Sequence, residues 1–331
     1  MDAMRAMLRA AVAGLALCTL PSLAEAAELS LSHQYATSDV RHQVAQALAD
    51  ELADADVGVD LRIHPASSLL APEAQYDALR AGRLDMAVMP LAYAAREHPA
   101  FGLTILPGIV RNHAHAARVV GSDFMRAIEA ELAEDGLMVL VHGFLAQGVA
   151  ARGECMTAPE KARGKRVRAA AGGVLADTLA AAGATVVQVP TGQVYEALQE
   201  GTIDAASSST SVLAANRLYE QVACYTPPGE AAPSVVYQPV LMRRAAYEAL
   251  TSEQRAALDG ARVDAATLYR EEAERQDKLS TEAFRKAGVA IREMLPEEFE
   301  AWRSLARRSA ARMIEERKGD ASLVDLAFAV E

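Results

Sequence analysis

Tyr76-Asp-Ala-Leu-Arg-Ala-Gly-Arg-Leu-Asp85 returns later in the chain as Tyr195-Glu-Ala-Leu-Gln-Glu-Gly-Thr-Ile-Asp204. The shared pattern, Y-[DE]-A-L-x-x-G-x-[LI]-D, spells one local event. A short amphipathic helix buries Tyr, Ala and Leu, and the glycine takes the left-handed cap that stops it. Leu84 or Ile203 then enters a strand. A strand-like segment ending in proline precedes each copy: Ile63-His-Pro65 before the first and Val187-Gln-Val-Pro190 before the second. Two similar lobes follow from this echo. Outward from it, helix and strand signals alternate. Leu29 to Leu31 reads as a strand, and Ser38 or Asp39 caps a helix with Val40, Val44, Leu48 and Leu52 on one face. Val59, Leu61 and Ile63 alternate with polar residues; Leu84 to Met89, Leu137 to Val141 and Val235 to Met242 are further strands. This order predicts an α/β fold with largely parallel sheets. From Ala245 onward the chain turns helical, with separate amphipathic helices at Ser252 to Leu258 and Pro296 to Trp302 and a short strand at Gly288 to Ile291.

The N-terminus reads as an export signal. Arg5 and Arg9 precede the apolar run Ala10 to Leu17, which is too short to span a bilayer, and Ala24-Glu-Ala26 is a small-x-small cleavage pattern. The mature start is expected near Ala27. An uncleaved anchor is the alternative; a lipoprotein at Cys18 fits less well, because Leu17 stands where a small residue is required. Loss of 26 of the 331 residues leaves enough chain for two cored lobes. Arg5 and Arg9 balance Asp2 and Glu25, so the mature chain keeps the net charge of −11. That acidity argues against nucleic acid and against an anionic membrane surface, but not against one buried arginine gripping an anion. Cys155 and Cys224 remain, and in an oxidising compartment they either pair or stay as two buried thiols. No CxxC or Cys/His cluster points to a metal.

One segment is chemically distinctive: Lys161-Ala-Arg-Gly-Lys-Arg-Val-Arg168, running into Ala169-Ala-Ala-Gly-Gly173. Strand alternation puts Arg166 and Arg168 on one face and Val167 on the other. A residue at a strand end of an open α/β sheet faces the cleft, and an arginine there grips a carboxylate through two parallel hydrogen bonds that lysine does not copy. A surface cluster with ordinary salt bridges is the alternative. Signals for catalysis are weak. There is no G-x-S-x-G elbow and no phosphate-binding loop around Gly172-Gly173. His113 and His115 are spaced so that a helix points them to different faces, against a zinc pair, and His33 reads as structural.

Gly164-Lys-Arg-Val-Arg168, Gly183-Ala184, Pro190-Thr-Gly-Gln-Val-Tyr195 and Ala197-Leu-x-x-Gly201-x-Ile-Asp204, in this order, resemble the DctP-type solute-binding proteins of tripartite ATP-independent periplasmic (TRAP) transporters. Ser38 to Leu52, Pro65 to Leu69, Ala78 to Asp85, Leu106-Pro107 and Leu250 to Gln254 extend the resemblance over nearly the whole mature chain. The resemblance implies a two-lobed periplasmic-binding-protein-like fold, each lobe a sheet flanked by helices, with the chain crossing between lobes and helices at the C-terminus. The expected division is 1–26 signal peptide, 27–147 plus 234–273 first lobe, and 148–233 plus 274–331 second lobe. It implies a periplasmic receptor, not an enzyme, that captures a small carboxylate without a cofactor and hands it to the small and large TRAP membrane subunits, with a monomer as default. The family's carboxylate-binding arginine falls on Arg168. Gln34, Ser207, Ser208, Gln193, Pro90, Leu91, Tyr93 and Tyr237 fall at cleft-facing positions, and Arg152 is the nearest candidate for a second cation. Ala169 where many members have proline, and Ser207-Ser208 where an acid and an asparagine are usual, leave the ligand open but favour a larger or less charged monocarboxylate. A receptor reporting to a membrane sensor, or a secreted hydrolase of a carboxylate-bearing substrate, are the competing readings.

Overall fold

The computed structural model describes residues 26–169, 173–317 and 319–330; the segment up to Glu25, expected to be an export signal, and the Gly172 position lie outside them. Strands β1 (Ala27–His33), β2 (Val59–His64), β3 (Met86–Val88) and β4 (Leu137–Val141) belong to one sheet. β5 (Phe144–Ala151), β6 (Arg166–Ala169), β7 (Thr185–Gln188), β8 (Ala205–Ser209), β9 (Cys224–Thr226) and β10 (Ser234–Tyr237) belong to another. β11 (Val240–Arg243) returns to the first sheet and β12 (Ala290–Ile291) to the second. The first sheet runs β2-β1-β3-β11-β4 and the second β12-β9-β5-β8-β6-β7, with β10 added on β5. Each lobe therefore carries a parallel trio, β2-β1-β3 or β7-β6-β8, flanked by an antiparallel strand, β11 or β5. The sheets are mixed rather than largely parallel, because the strands that cross between lobes enter antiparallel.

The echoed decapeptides explain the matching trios. Gly82 and Gly201 sit at φ of 70° and 69°. Arg83 N donates to Ala78 O at 2.9 Å and Thr202 N to Ala197 O at 2.9 Å, the same Schellman closure in both lobes. The closing aspartates also match. Asp85 Oδ2 accepts from Ser30 N at 3.0 Å on β1, and Asp204 Oδ2 accepts from Arg166 N at 2.8 Å on β6. Each aspartate ties the neighbouring parallel strand, β1 at its middle and β6 at its first residue, to the end of the echoed segment.

Two segments join the lobes in strand order: His142-Gly143 between β4 and β5, and Gln238-Pro239 between β10 and β11. The apolar run Val235 to Met242 is thus two strands, not one. Ser234–Tyr237 pair with β5 in the second sheet, so the crossing falls after Tyr237 rather than at residue 234, and β5 already begins at Phe144. Pro239 has no N–H to continue a ladder, which places the break. Gln238 N donates to Gly143 O at 2.8 Å, and Tyr269 Oη donates to Gln238 O at 3.0 Å, tying both crossings together.

The helix expected from Ser252 runs to Lys286, about 52 Å at 1.5 Å per residue. A capping box starts it: Gln254 N donates to Thr251 Oγ1, and Thr251 N to Gln254 Oε1. Leu258, Ala261, Ala265, Tyr269 and Ala273 bury against the first lobe, and Phe284 stacks on Tyr225 in the second. The helix Pro296–Glu316 also straddles. Phe299 and Trp302 pack in the second lobe, whereas Ala306, Ala310, Met313 and Ile314 join Leu79, Phe101 and Ile128 of the first. Ala306, Ala310, Met313 and Ile314 thus pack against first-lobe residues, although the expected division had placed them in the second lobe. Helical periodicity is the same whichever lobe the apolar stripe meets. Cys155 and Cys224 are joined in a disulfide with Cα atoms 5.2 Å apart, where β5 lies beside β9.

Gly143 has no room for a side chain: a Cβ there overlaps the Tyr269 ring and lies 2.6 Å from Gln238 O. Gly143→Ala is expected to lower the unfolding free energy by about 1–3 kcal/mol through overpacking at the crossing, measured by urea denaturation.

Candidate ligand site between the lobes

Between the two sheets lies a cavity of about 300 Å³. The first lobe supplies Gln34, Tyr35, Asp39, Arg41, Pro90 and Tyr93; the second supplies Gln147, Arg168, Thr191, Ser208 and Asn216, and Gln238 comes from the crossing. At about 30 Å³ per water, the space equals roughly ten water molecules, the scale of a small organic acid.

Arg168 is placed by β6, between β7 and β8. Alternation buries Val167 on one face and turns Arg168 to the other. The side chain is only 1% exposed. Its Nε donates to Val189 O at 3.0 Å, Nη1 to Ser207 O at 3.2 Å and Nη2 to Thr191 Oγ1 at 3.1 Å. All three partners are neutral oxygens. Three of the five guanidinium donors are used, which leaves one on each terminal nitrogen. Among the described residues no carboxylate forms an ion pair with it. Burial pulls its pKa below the ordinary arginine value, with Tyr93 opposing; arginine still stays protonated in proteins. Arg166, on the same face, is exposed and paired with Asp204 at 2.6 Å, so only one of the two strand arginines is left without an acid.

Across the cavity stands an arginine of the opposite kind. Arg41 is buried, lies 3.5 Å over the Tyr35 ring, and forks onto Asp39 through Nε at 2.6 Å and Nη2 at 2.5 Å. Asp39 is also the N-cap of the helix Val40–Asp54, accepting from Arg41 N at 3.0 Å. Burial alone raises a carboxyl pKa, but the Arg41 charge and hydrogen bonds outweigh it and hold Asp39 below its usual range. Gln238 Oε1 accepts from Arg41 Nη1 at 3.0 Å and from Tyr35 Oη at 2.5 Å.

The family model described as bacterial extracellular solute-binding protein, family 7 (DctP), matches residues 31–317. The chain belongs to this family. A solute-binding protein of Albidiferax ferrireducens is 30% identical over 325 residues, spanning 92% of this chain and 93% of its own. The 2,3-diketo-L-gulonate-binding periplasmic protein of Escherichia coli is 25% identical over 287 residues, 85% of each chain. A solved TRAP periplasmic solute-binding protein from Rhodoferax ferrireducens, with bound malonate, superposes with a TM-score of 0.83 at 28% identity over 90% of this chain and 96% of that one. The two-lobed architecture is that of these DctP-family receptors.

Of the residues singled out from sequence, Arg168, Gln34, Pro90, Tyr93 and Ser208 line the cavity. Five others lie elsewhere. Ser207 alternates away from Ser208 on β8, and its hydroxyl meets Gln147 Oε1 at 3.3 Å, although its carbonyl holds Arg168. Leu91 is fully buried in the first-lobe core. Gln193 is exposed at the end of the turn whose Thr191 and Gly192 do reach the cavity. Tyr237 points to the other side of the crossing and meets His142 Nδ1 at 2.8 Å. Arg152 is exposed at the far end of β5, where its backbone N donates to Asp204 O. Arg41 takes the second cationic place in the cavity instead. Its only trace in the sequence is Asp39-Val-Arg41 at a helix start, which reads as a cap. Gln238 and Gln147 were likewise hidden within apolar stretches. His113 pairs with Asp277 at 2.7 Å, while His115 accepts from Arg111 N and meets Val330 O, so each imidazole has its own partner.

His33 lies just behind the cavity wall, with Nδ1 accepting from Tyr35 N and Nε2 against His42 Nδ1 at 3.1 Å. Burial and then the His42 charge lower its pKa to about 4. The unfolded chain takes up this proton near pH 6.5. Between the two values the native state binds fewer protons, so stability rises with pH there. The contribution, up to about 3 kcal/mol, is complete above pH 6.5 and is lost as pH falls toward 4. Denaturation midpoints measured from pH 7 to pH 4 are expected to fall steeply for the native chain and less steeply for His33→Gln.

Proposed function

We propose that this protein is the extracytoplasmic receptor of a TRAP transporter and that it captures a small carboxylate in the interlobe cavity, with Arg168 as the clamp. The observation that carries the proposal is a buried guanidinium held in place by three neutral oxygens, with a donor left on each terminal nitrogen. Such a group supplies the charge and the fork that a carboxylate completes. Burying a cation without its counter-ion is costly, so the ligand brings free energy to the closed form that the open form lacks.

Ligand contacts from both lobes make closure follow from binding. A carboxylate on Arg168 in the second lobe, touching Gln34 or Tyr93 in the first, favours the closed arrangement by the difference in its two affinities. The crossings at Gly143 and Gln238 are where the chain bends. The closed face then docks on the small and large membrane subunits, and an ion gradient drives uptake. Relatives support the carboxylate class: the Rhodoferax structure holds malonate, and the Escherichia coli protein is named for binding 2,3-diketo-L-gulonate. Those relatives are binding proteins, which supports capture without turnover over a hydrolase. The receptor works as a monomer in this reading, and a leader removed near Ala26 delivers it to the periplasm. Among the described residues no helix is long and apolar enough to cross a membrane.

Calorimetry with an acid found by thermal-shift screening tests the clamp. Arg168→Ala is expected to weaken binding at least 30-fold, from a truncation cost of about 2–5 kcal/mol, with circular dichroism unchanged. Arg168→Lys is expected to recover little, because it restores charge without the fork. Native affinity in Arg168→Ala would remove this residue from the site. Mass spectrometry of the exported chain is expected to find an N-terminus near Ala27.

A further inference from the structure

The lining of the cavity has three formal charges among the described residues: Arg168, Arg41 and Asp39. Arg41 and Asp39 form a closed pair. Asp39 Oδ1 accepts from Arg41 N and Nε, and Oδ2 from Nη2, so neither oxygen is left without a donor. The pair is buried, with side-chain exposures of 2% and 10%, and Asp39 is fixed further by capping its helix. What remains is a single uncompensated positive charge, on Arg168.

The neutral groups around it are biased toward donation. Gln238 Oε1 faces Arg41, which only donates, so the amide orientation is set and its Nε2 is a donor. Gln147 Oε1 takes hydrogen bonds from Ser234 Oγ at 2.6 Å and Ser207 Oγ at 3.3 Å, so in this arrangement its Nε2 is the amide atom with donors to offer. A ligand here meets one cation, several neutral donors, and a carboxylate already saturated by its own arginine.

We infer that the cavity selects monocarboxylates whose remaining polar atoms are neutral acceptors, such as hydroxy, oxo or lactam acids, and rejects dicarboxylates and zwitterionic amino acids. This rests on the carboxylate-receptor reading and sharpens it. A second ligand carboxylate brought to Arg41 shares that guanidinium with Asp39, like charge beside like charge, which disfavours a wrong partner strongly. An ammonium group finds no free anion. Asp39 is thus a specificity-determining residue that acts by occupying Arg41.

The test uses the mature chain and matched probes that differ by one terminal oxidation (gluconate with glucarate, glycerate with tartronate), by the hydrolysis of a lactam to an ammonium and a second carboxylate (pyroglutamate with glutamate), or by one methyl ester (monomethyl malonate with malonate). Thermal shift ranks a broad panel containing them, and calorimetry measures the pairs that respond. The monocarboxylate is expected to bind at least tenfold tighter than its partner. Asp39→Asn, which retains a side chain able to cap the helix, frees Arg41 and is expected to move that ratio at least tenfold toward the dicarboxylate. A native protein that binds the dicarboxylate or the amino acid as tightly as its monocarboxylate partner overturns the inference, as does an unmoved ratio in Asp39→Asn. If Arg168→Ala abolishes both classes while the Asp39→Asn ratio stays put, the receptor reading survives and this one falls. If no acid in the panel binds, both fall.

Discussion

A guanidinium buried between two lobes and braced only by neutral oxygens is the constraint around which this molecule is organised. Arg168 donates to Val189 O, Ser207 O and Thr191 Oγ1, so its position depends on β6, on the strand ends of β7 and β8, and on the turn after β7. These in turn depend on register. Asp204 pins β6 at Arg166 N, and Gly201 ends the preceding helix where β8 can start. The echoed decapeptide is far from the cavity in chemistry, yet it aims the residue that faces it.

The contrast between Arg168 and Arg41 shows how one side-chain type serves two ends. Both are buried and both line the same space. Arg41 carries its own carboxylate and an aromatic ring beneath it, so its charge is spent inside the first lobe. Arg168 has neither. Leaving a buried arginine without an acid is unfavourable for the protein by itself, and an anion brought to it would relieve that state.

Gln238 connects this chemistry to the mechanics. Its side chain lies in the cavity on Arg41 and Tyr35, while its backbone bonds Gly143 and Tyr269 at the crossing. Any shift in the cavity's hydrogen bonds is therefore felt at the segment where the lobes meet. Tyr237, one residue earlier, faces the opposite side and packs on His142 and Phe144. Strand alternation separates a cavity-lining side chain from one packed at the crossing by a single position, which is why the cleft expectation for Tyr237 fell one residue away.

Local chemistry in the chain was enough to determine the two α/β lobes, the capped helix and strand of each echo, and the alternation that turns Arg168 away from Val167, because glycine caps, period-two alternation and short-range spacing are all written in neighbouring residues. Tertiary structure alone decided which lobe each C-terminal helix serves, that Val235 to Met242 divides between two sheets, that Cys155 meets Cys224, and that Arg41 rather than Arg152 shares the cavity. Those outcomes turn on which surfaces meet across long stretches of chain. An apolar stripe or a charged side chain has the same local signature whether its partner is in its own lobe, in the other, or in solvent.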